Sequence, residues 1–117
     1  MKLRYHDNKI EKLCKEFHEA QRKLGSVVAK KLHAAIAFFE KAGTMSSIAE
    51  NKPLRLHKLQ GDRQNTFAIV LGSQTGFRLI IEPLQENGQL FKDYSDMALV
   101  YKNAKTILVL EVTNHYE

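Results

Sequence analysis

The spacing of apolar residues changes along the chain, from the period of a helix to the period of a strand. Apolar side chains in residues 9–24 follow the i, i+3, i+4, i+7 stripe of an amphipathic helix, and a second such stripe follows Ser26. Gly25 and Gly43 are placed to end these two helices, and Ser26 is placed to cap the second. Because the connection is so short, the pattern predicts a helical hairpin.

The remaining segments alternate apolar and polar residues with the period of two that a strand requires. Pro83 lacks an N–H group and is expected to end the strand in which it lies, whereas residues 85–104 have little period and are expected to form an irregular excursion. A helical turn is predicted at residues 46–50. Strands are predicted at residues 1–5, 54–59, 66–71, 77–82 and 106–116.

The order of these elements predicts the fold class. Helices that precede a run of antiparallel strands form one layer on a sheet, so we expect an α+β fold with an N-terminal helical hairpin packed on a mainly antiparallel sheet of about four or five strands. The chain of 117 residues is the size of one domain, and residues 1–117 are expected to form it. The helices cover one face of the sheet, which leaves the other face for function.

Composition excludes several classes of protein. The longest apolar run, Ala34–Phe39, is far shorter than the roughly 20 residues of a membrane span. The single cysteine, Cys14, excludes an intramolecular disulfide, suits a reducing cytoplasm, and lies on the buried stripe of the first helix. The five histidines have no ligand spacing, and phosphate-binding and nucleophile-elbow glycine motifs are absent. We expect a cytoplasmic protein with no membrane contact, no metal and no small-molecule cofactor.

Positive charge is concentrated in the first half of the chain. Residues 1–63 hold 14 Lys and Arg against 7 Asp and Glu, whereas residues 64–117 hold 4 against 6. Lys and Arg that neutralise phosphates release counterions, so this surplus favours contact with a nucleic acid. A solvated helix surface with i,i+4 ion pairs explains much of the same surplus, and both interpretations stay open.

Several polar residues lie in or beside the predicted strands. Arg78 follows Phe77 and precedes Leu79, so it points to the face opposite them, where it either reaches solvent or a phosphate or forms an ion pair with Glu82 or Glu111.

His57 and Lys58 alternate faces, so a cleft takes one of them more easily than both. Arg, Lys, His and Tyr on a half-open sheet can supply the base, the phosphate-binding cation and the acid that metal-free RNA cleavage needs.

Four segments of the chain resemble the HigB-like branch of the RelE/ParE toxin superfamily. The segments are Leu54–Arg63, Thr66–Leu71, Phe77–Glu82 and Ile107–Tyr116. Together they carry three motifs, which are L-x-G-D before an aromatic residue, aromatic-R-L-I-x-E, and an ending similar to D-Y-H. The resemblance covers nearly the whole chain except residues 85–104. It implies a microbial-ribonuclease-like fold and a type II toxin that cuts mRNA in the ribosomal A site.

The resemblance also implies which residues form the site. By motif position, Arg78 binds the phosphate, His57 is the histidine before G-D, and Asn114-His115-Tyr116 is the ending, with Asn in place of Asp and the order of His and Tyr reversed. Which of His115 and Tyr116 acts therefore stays open. The expected catalytic residues are Arg78, His57, His115 and Tyr116. The expected RNA- or phosphate-binding residues are Lys58, Arg63, Arg55 and Asn114.

Three functions are compatible with the sequence. The first is a ribosome-dependent mRNA endoribonuclease whose partners are the ribosome, mRNA and a HigA-like helix-turn-helix antitoxin. The second is a ParE-like toxin that inhibits DNA gyrase by binding, because a fold does not fix a function. The third is an inactive, structural basic domain.

Tyr94 and Tyr101 are either contacts for a partner or local packing.

Overall fold

The computed structural model describes residues 1–60 and 65–114. The chain begins with a strand, continues with helices and ends with a run of strands into which one further helix is inserted. The elements are β1 Lys2–Tyr5, α1 Asn8–Lys15, α2 Phe17–Leu24, α3 Ser26–Lys41, α4 Met45–Glu50, a 3₁₀ turn Lys52–Leu54, β2 His57–Lys58, β3 Phe67–Val70, β4 Arg78–Leu84, α5 Met97–Asn103 and β5 Thr106–Thr113.

Within the described residues, the five strands form a sheet in the order β1-β5-β4-β3-β2. β1 and β5 are parallel, and the other neighbours are antiparallel. The N-terminal helices pack on one face of this sheet. The predicted α+β class is therefore confirmed, and the parallel β1–β5 pair makes the sheet mixed.

The core lies between α3 and one face of the sheet. Residues that pair across neighbouring strands point to the same face of the sheet. Successive residues along β3 and β4 point alternately to the core face and to the outer face. Cys14 is 3% exposed in this core, as predicted, and burial raises its pKa to about 12, which keeps the thiol protonated. The largest contributors from α3 and the sheet are Leu32, Phe39, Phe67, Ile69, Leu79, Ile81 and Ile107.

The single helix predicted over residues 9–24 is wrong, because the chain is extended at Glu16 between α1 and α2. In an unbroken helix the Leu13 carbonyl would accept a hydrogen bond from the amide four residues later. Here His33 Nε2 lies 2.8 Å from that carbonyl, and the Phe17 ring meets the His33 ring edge-on at 5.4 Å. A side chain from α3 thus supports the break.

Gly25 joins α2 to α3 with a φ of 85°, a conformation that L side chains rarely adopt. Ser26 is the first residue of α3 and accepts a hydrogen bond from Gln21 at 2.9 Å, so the prediction that Ser26 caps this helix is wrong. The predicted end at Gly43 is also wrong, since the chain already turns extended at Ala42.

Two strand predictions and the prediction for residues 85–104 need correction. Pro83 does not end β4. β3 pairs with β4 only as far as Ile81, so at Pro83 the β4 edge that faces β3 has no partner there, and a proline is tolerated at such an edge. The strand predicted over residues 54–59 shrinks to β2, because a 3₁₀ turn occupies its start. The excursion at residues 85–104 contains α5, whose cap Asp96 accepts from the Leu99 amide at 3.3 Å.

A β-bulge changes the phase of β5. Ile80 of β4 pairs with Glu111, whereas the next residue, Ile81, pairs with Val109, so that Leu110 is the additional residue. An uninterrupted alternation along β5 would put Glu111 on the face of Val109, and the bulge moves Glu111 to the opposite face. Beyond the bulge, Val112 packs toward the core and Glu111 shares the outer face with Ile80.

Candidate functional site

A cleft of about 470 Å³ lies on the outer face of the sheet, away from α3. Its residues come from the segment before β2, from β2 itself, and from the facing ends of β3 and β4. Val70, only 6% exposed, contributes an apolar surface, and the other lining residues are Arg55, Leu56, His57 and Arg78.

Arg78 enters the cleft because of the alternation along β4. Its neighbour Leu79 is fully buried in the core, so Arg78 belongs to the opposite face, as the sequence predicted. There it lies between Val70 on β3 and Thr113 on β5. Its Nη1 donates a hydrogen bond to the Phe77 carbonyl at 3.1 Å, which restrains the half-buried guanidinium.

His57 and Lys58 point to opposite faces, as expected. His57 pairs with Ala68, which pairs in turn with Ile80 on the outer face, so the imidazole shares the face of Arg78. Lys58 pairs with Phe67 of the core face, and its Nζ lies 5.5 Å from the centre of the Tyr94 ring. The cleft therefore contains His57 and not Lys58.

Arg55 reaches the cleft through an unusual backbone conformation. Its φ of 52° and ψ of 48° are left-handed, and its amide donates to the Lys52 carbonyl at 3.0 Å to close the 3₁₀ turn. Its own carbonyl lies 2.8 Å from His57 Nδ1. The sequence offered no signal for this turn, because no glycine or asparagine occupies the position.

The aromatic residues of the excursion pack among themselves and on the sheet. The Tyr94 ring lies 6.4 Å from Phe67 and 6.3 Å from Phe91, and the Tyr101 ring lies 6.1 Å from Phe67. Burial raises the pKa of both tyrosines, and the nearby Glu82 charge adds to the effect at Tyr94. Of the two interpretations left open for these tyrosines, local packing is the one that these contacts support.

The structure thus brings together three of the residues selected from the sequence: Arg55, His57 and Arg78. Asn114 is exposed and directly follows Thr113, the β5 partner of Arg78, without lining the cleft. Lys58 lies elsewhere, as described above. Arg63, His115 and Tyr116 lie outside the described residues.

The charge of the cleft suits an anion. Two arginines and one histidine line the cleft beside the apolar Val70, and none of its described lining residues is acidic. Arginine presents several N–H donors in a planar fork whose geometry matches the oxygens of carboxylate and phosphate groups.

Residues 1–60 and 65–114 contain neither a metal-binding cluster of side chains nor a membrane-spanning helix. No group of three or more His, Cys, Asp or Glu residues is arranged there to hold a metal ion. None of the helices in those residues is long and apolar enough to cross a membrane.

Comparison with solved structures shows a shared fold. A YoeB/ParE toxin from Agrobacterium tumefaciens superposes with a TM-score of 0.51 at 13% sequence identity, and the alignment covers 99% of this chain and 100% of that chain. No protein-family profile and no curated protein matches the sequence. The protein therefore has the RelE/YoeB toxin fold, and an identity this low establishes the fold alone.

Proposed function

We propose that this chain is the toxin of a type II toxin–antitoxin pair, a HigB-like member of the RelE/ParE superfamily that cleaves mRNA on the ribosome without a metal. The observation that carries the proposal is the cleft that places Arg55, His57 and Arg78 together on the outer face. The toxin fold and the sequence motifs around these residues support it. A HigA-like antitoxin, the ribosome and mRNA are its proposed partners, in the cytoplasm.

The chemistry follows from the residue types in the cleft. Arg78 and Arg55 bind the scissile phosphate, whose negative charge grows in the transition state. His57 exchanges a proton with the reacting oxygens. DNA resists this reaction because it lacks the 2′-hydroxyl group that attacks the phosphate. Lys58, Arg63 and Asn114 are proposed to bind RNA outside the cleft, and His115 and Tyr116 to complete the acid–base set.

Arg78→Ala tests the proposal directly. Primer extension on a reporter mRNA after induction should show new 5′ ends within codons for the natural protein, and the substitution should reduce cleavage by about 10²–10³-fold, the effect of removing one donor to a developing charge. Arg22→Ala is the matched control, because Arg22 lies on α2 with a side chain 69% exposed. Circular dichroism should show both variants folded. Intact mRNA in cells whose growth is arrested by the natural protein would contradict the proposal.

Gyrase inhibition is the second candidate, since the solved structure with the same fold carries the names of both YoeB and ParE toxins. A supercoiling assay with purified protein separates the two functions. We expect gyrase to remain active. Inhibition of gyrase with mRNA left intact would establish the second candidate, and no effect in either assay would support the inactive structural domain.

A further inference from the structure

One ring nitrogen of His57 faces the main chain of Arg55. His57 Nδ1 lies 2.8 Å from the Arg55 carbonyl oxygen. We propose that the left-handed backbone of Arg55 holds His57 in the tautomer with the proton on Nδ1, which makes Nε2 the proton acceptor of the cleft. The catalytic consequence rests on the proposed ribonuclease function, whereas the tautomer itself does not.

The tautomer follows from the chemistry of the two partners. A carbonyl oxygen accepts hydrogen bonds and cannot donate one, so the Nδ1 atom must carry the hydrogen. In a neutral imidazole the other ring nitrogen then has a lone pair and no hydrogen. An exposed histidine without such a partner would be divided between the two tautomers.

The backbone of Arg55 makes this contact possible at a conformational cost. Its φ of 52° and ψ of 48° place it in the left-handed region, which glycine adopts easily and β-branched residues avoid. The amide hydrogen bond to the Lys52 carbonyl, 3.0 Å long, fixes the turn from the other side. Arg55 is therefore a positioning residue through its carbonyl group, in addition to any role of its guanidinium.

The proton acceptor assigned in this way is the general base. Nε2 of His57 takes the proton of the 2′-hydroxyl group as its oxygen forms a bond to phosphorus, and the bond from phosphorus to O5′ breaks. O5′ takes a proton from the acid proposed above, His115 or Tyr116, and that group regains a proton from the imidazolium through water, which restores the lone pair on Nε2. The products are a 2′,3′-cyclic phosphate and a 5′-hydroxyl group.

Nuclear magnetic resonance measures the tautomer without any assay of activity. In two-bond ¹H–¹⁵N spectra of the full-length ¹⁵N-labelled protein at pH 8, the nitrogen that correlates strongly with both carbon-bound ring protons is Nε2. For His57, assigned by the signal that disappears in His57→Gln, this nitrogen should resonate at the position of an unprotonated, pyridine-type nitrogen. A protonated, pyrrole-type Nε2 would overturn the proposal.

A pair of substitutions separates the backbone of Arg55 from its side chain. Arg55→Gly and Arg55→Val remove the same guanidinium, but glycine adopts the left-handed conformation and valine does not. We expect Arg55→Gly to keep the Nδ1–H pattern and to cut mRNA at least about tenfold faster than Arg55→Val, in which His57 loses that pattern. If Arg55→Val fails to fold by circular dichroism, Arg55→Ala takes its place, with a smaller difference of the same sign.

The outcomes distinguish this inference from the proposed function. Equal cleavage by folded Arg55→Gly and Arg55→Val would show that the guanidinium alone matters, which overturns the positioning role. If the natural protein leaves mRNA intact but shows the Nδ1–H pattern that Arg55→Val loses, the positioning role stands and the ribonuclease function fails.

Discussion

Arg78 and Glu82 are ionisable residues on the outer face of the sheet that have different surroundings. Arg78 keeps its guanidinium half-buried in the cleft with a hydrogen bond to its own strand. Glu82, four positions farther along β4, is a carboxyl group whose pKa is raised by burial. The fold therefore disfavours the charged form of Glu82, and we expect this residue to affect the pH dependence of stability.

Glu82→Gln should stabilise the protein at neutral pH. Because the folded-state pKa of Glu82 lies above its unfolded value of about 4.3, its contribution is fully present below that pH and is lost as the pH rises through the folded-state pKa. Urea midpoints of the two proteins should be similar at pH 4, and the midpoint of the variant should be the higher one at pH 7. Glu86→Gln, at an exposed position in the following turn, is the control and should change neither midpoint. A lower midpoint for Glu82→Gln at pH 7 would contradict the explanation.

At the scale of elements, a residue of α3 supports the break between α1 and α2. α1 and α2 follow one hydrophobic stripe, yet the chain between them is extended at Glu16. The Leu13 carbonyl is satisfied by His33 Nε2 from α3, whose ring also contacts Phe17. The hydrogen bond is expected to contribute about 1 kcal/mol and the ring contact a similar amount.

His33→Ala should lower the free energy of unfolding by about 1–3 kcal/mol, because it removes both the hydrogen bond to Leu13 and the contact with Phe17. His33→Phe should recover part of the loss, since it restores the ring without the donor. Denaturation in urea measures the change. His18→Ala is the control, because His18 is exposed on α2 and should shift stability by less than about 0.5 kcal/mol. Equal effects of His33→Ala and His18→Ala would show that α3 does not support the break.

At the scale of the whole molecule, the positive charges occupy two different surfaces. Arg55 and Arg78 line the cleft on the outer face of the sheet. Lys30 and Lys41 are exposed on α3, which packs against the opposite face. Other helix charges are already compensated, such as Arg22 and Lys23 beside a shared glutamate at 2.6 and 3.0 Å. The net charge of +5 therefore does not by itself locate an RNA-binding surface.

The salt dependence of the proposed RNA binding should identify the surface that is used. Each phosphate contact on a single strand contributes about 0.7 to the slope of log affinity against log salt concentration, so Arg55→Gln with Arg78→Gln should reduce that slope by about 1.4. Fluorescence anisotropy with a single-stranded RNA oligonucleotide over a range of KCl concentrations measures it. Lys30→Gln with Lys41→Gln removes the same charge from α3 and should leave the slope unchanged. Equal reductions in the two double variants would mean that binding is diffuse.

Much of the candidate site was visible in the sequence, for a local reason. The side chains of a strand alternate, so the burial of Leu79 placed Arg78 on the outer face and the sequence alone separated His57 from Lys58. The conformation of Arg55 was not visible, because an arginine at a positive φ has no local signature. The short α5 was missed for a similar reason, since seven residues with one buried side chain form no clear stripe.

The sequence by itself determined that a region of helical period precedes a run of strands, and with it the α+β class, because the periods of 3.6 and 2 are properties of neighbouring residues. Only the tertiary structure decided the strand order β1-β5-β4-β3-β2, the bulge opposite Ile80 and Ile81, and the break at Glu16. Each of these depends on partners that are distant along the chain. The cleft has the same origin: Arg55 and Arg78 line one cleft because β2 and β4 both pair with β3, an arrangement that no local pattern records.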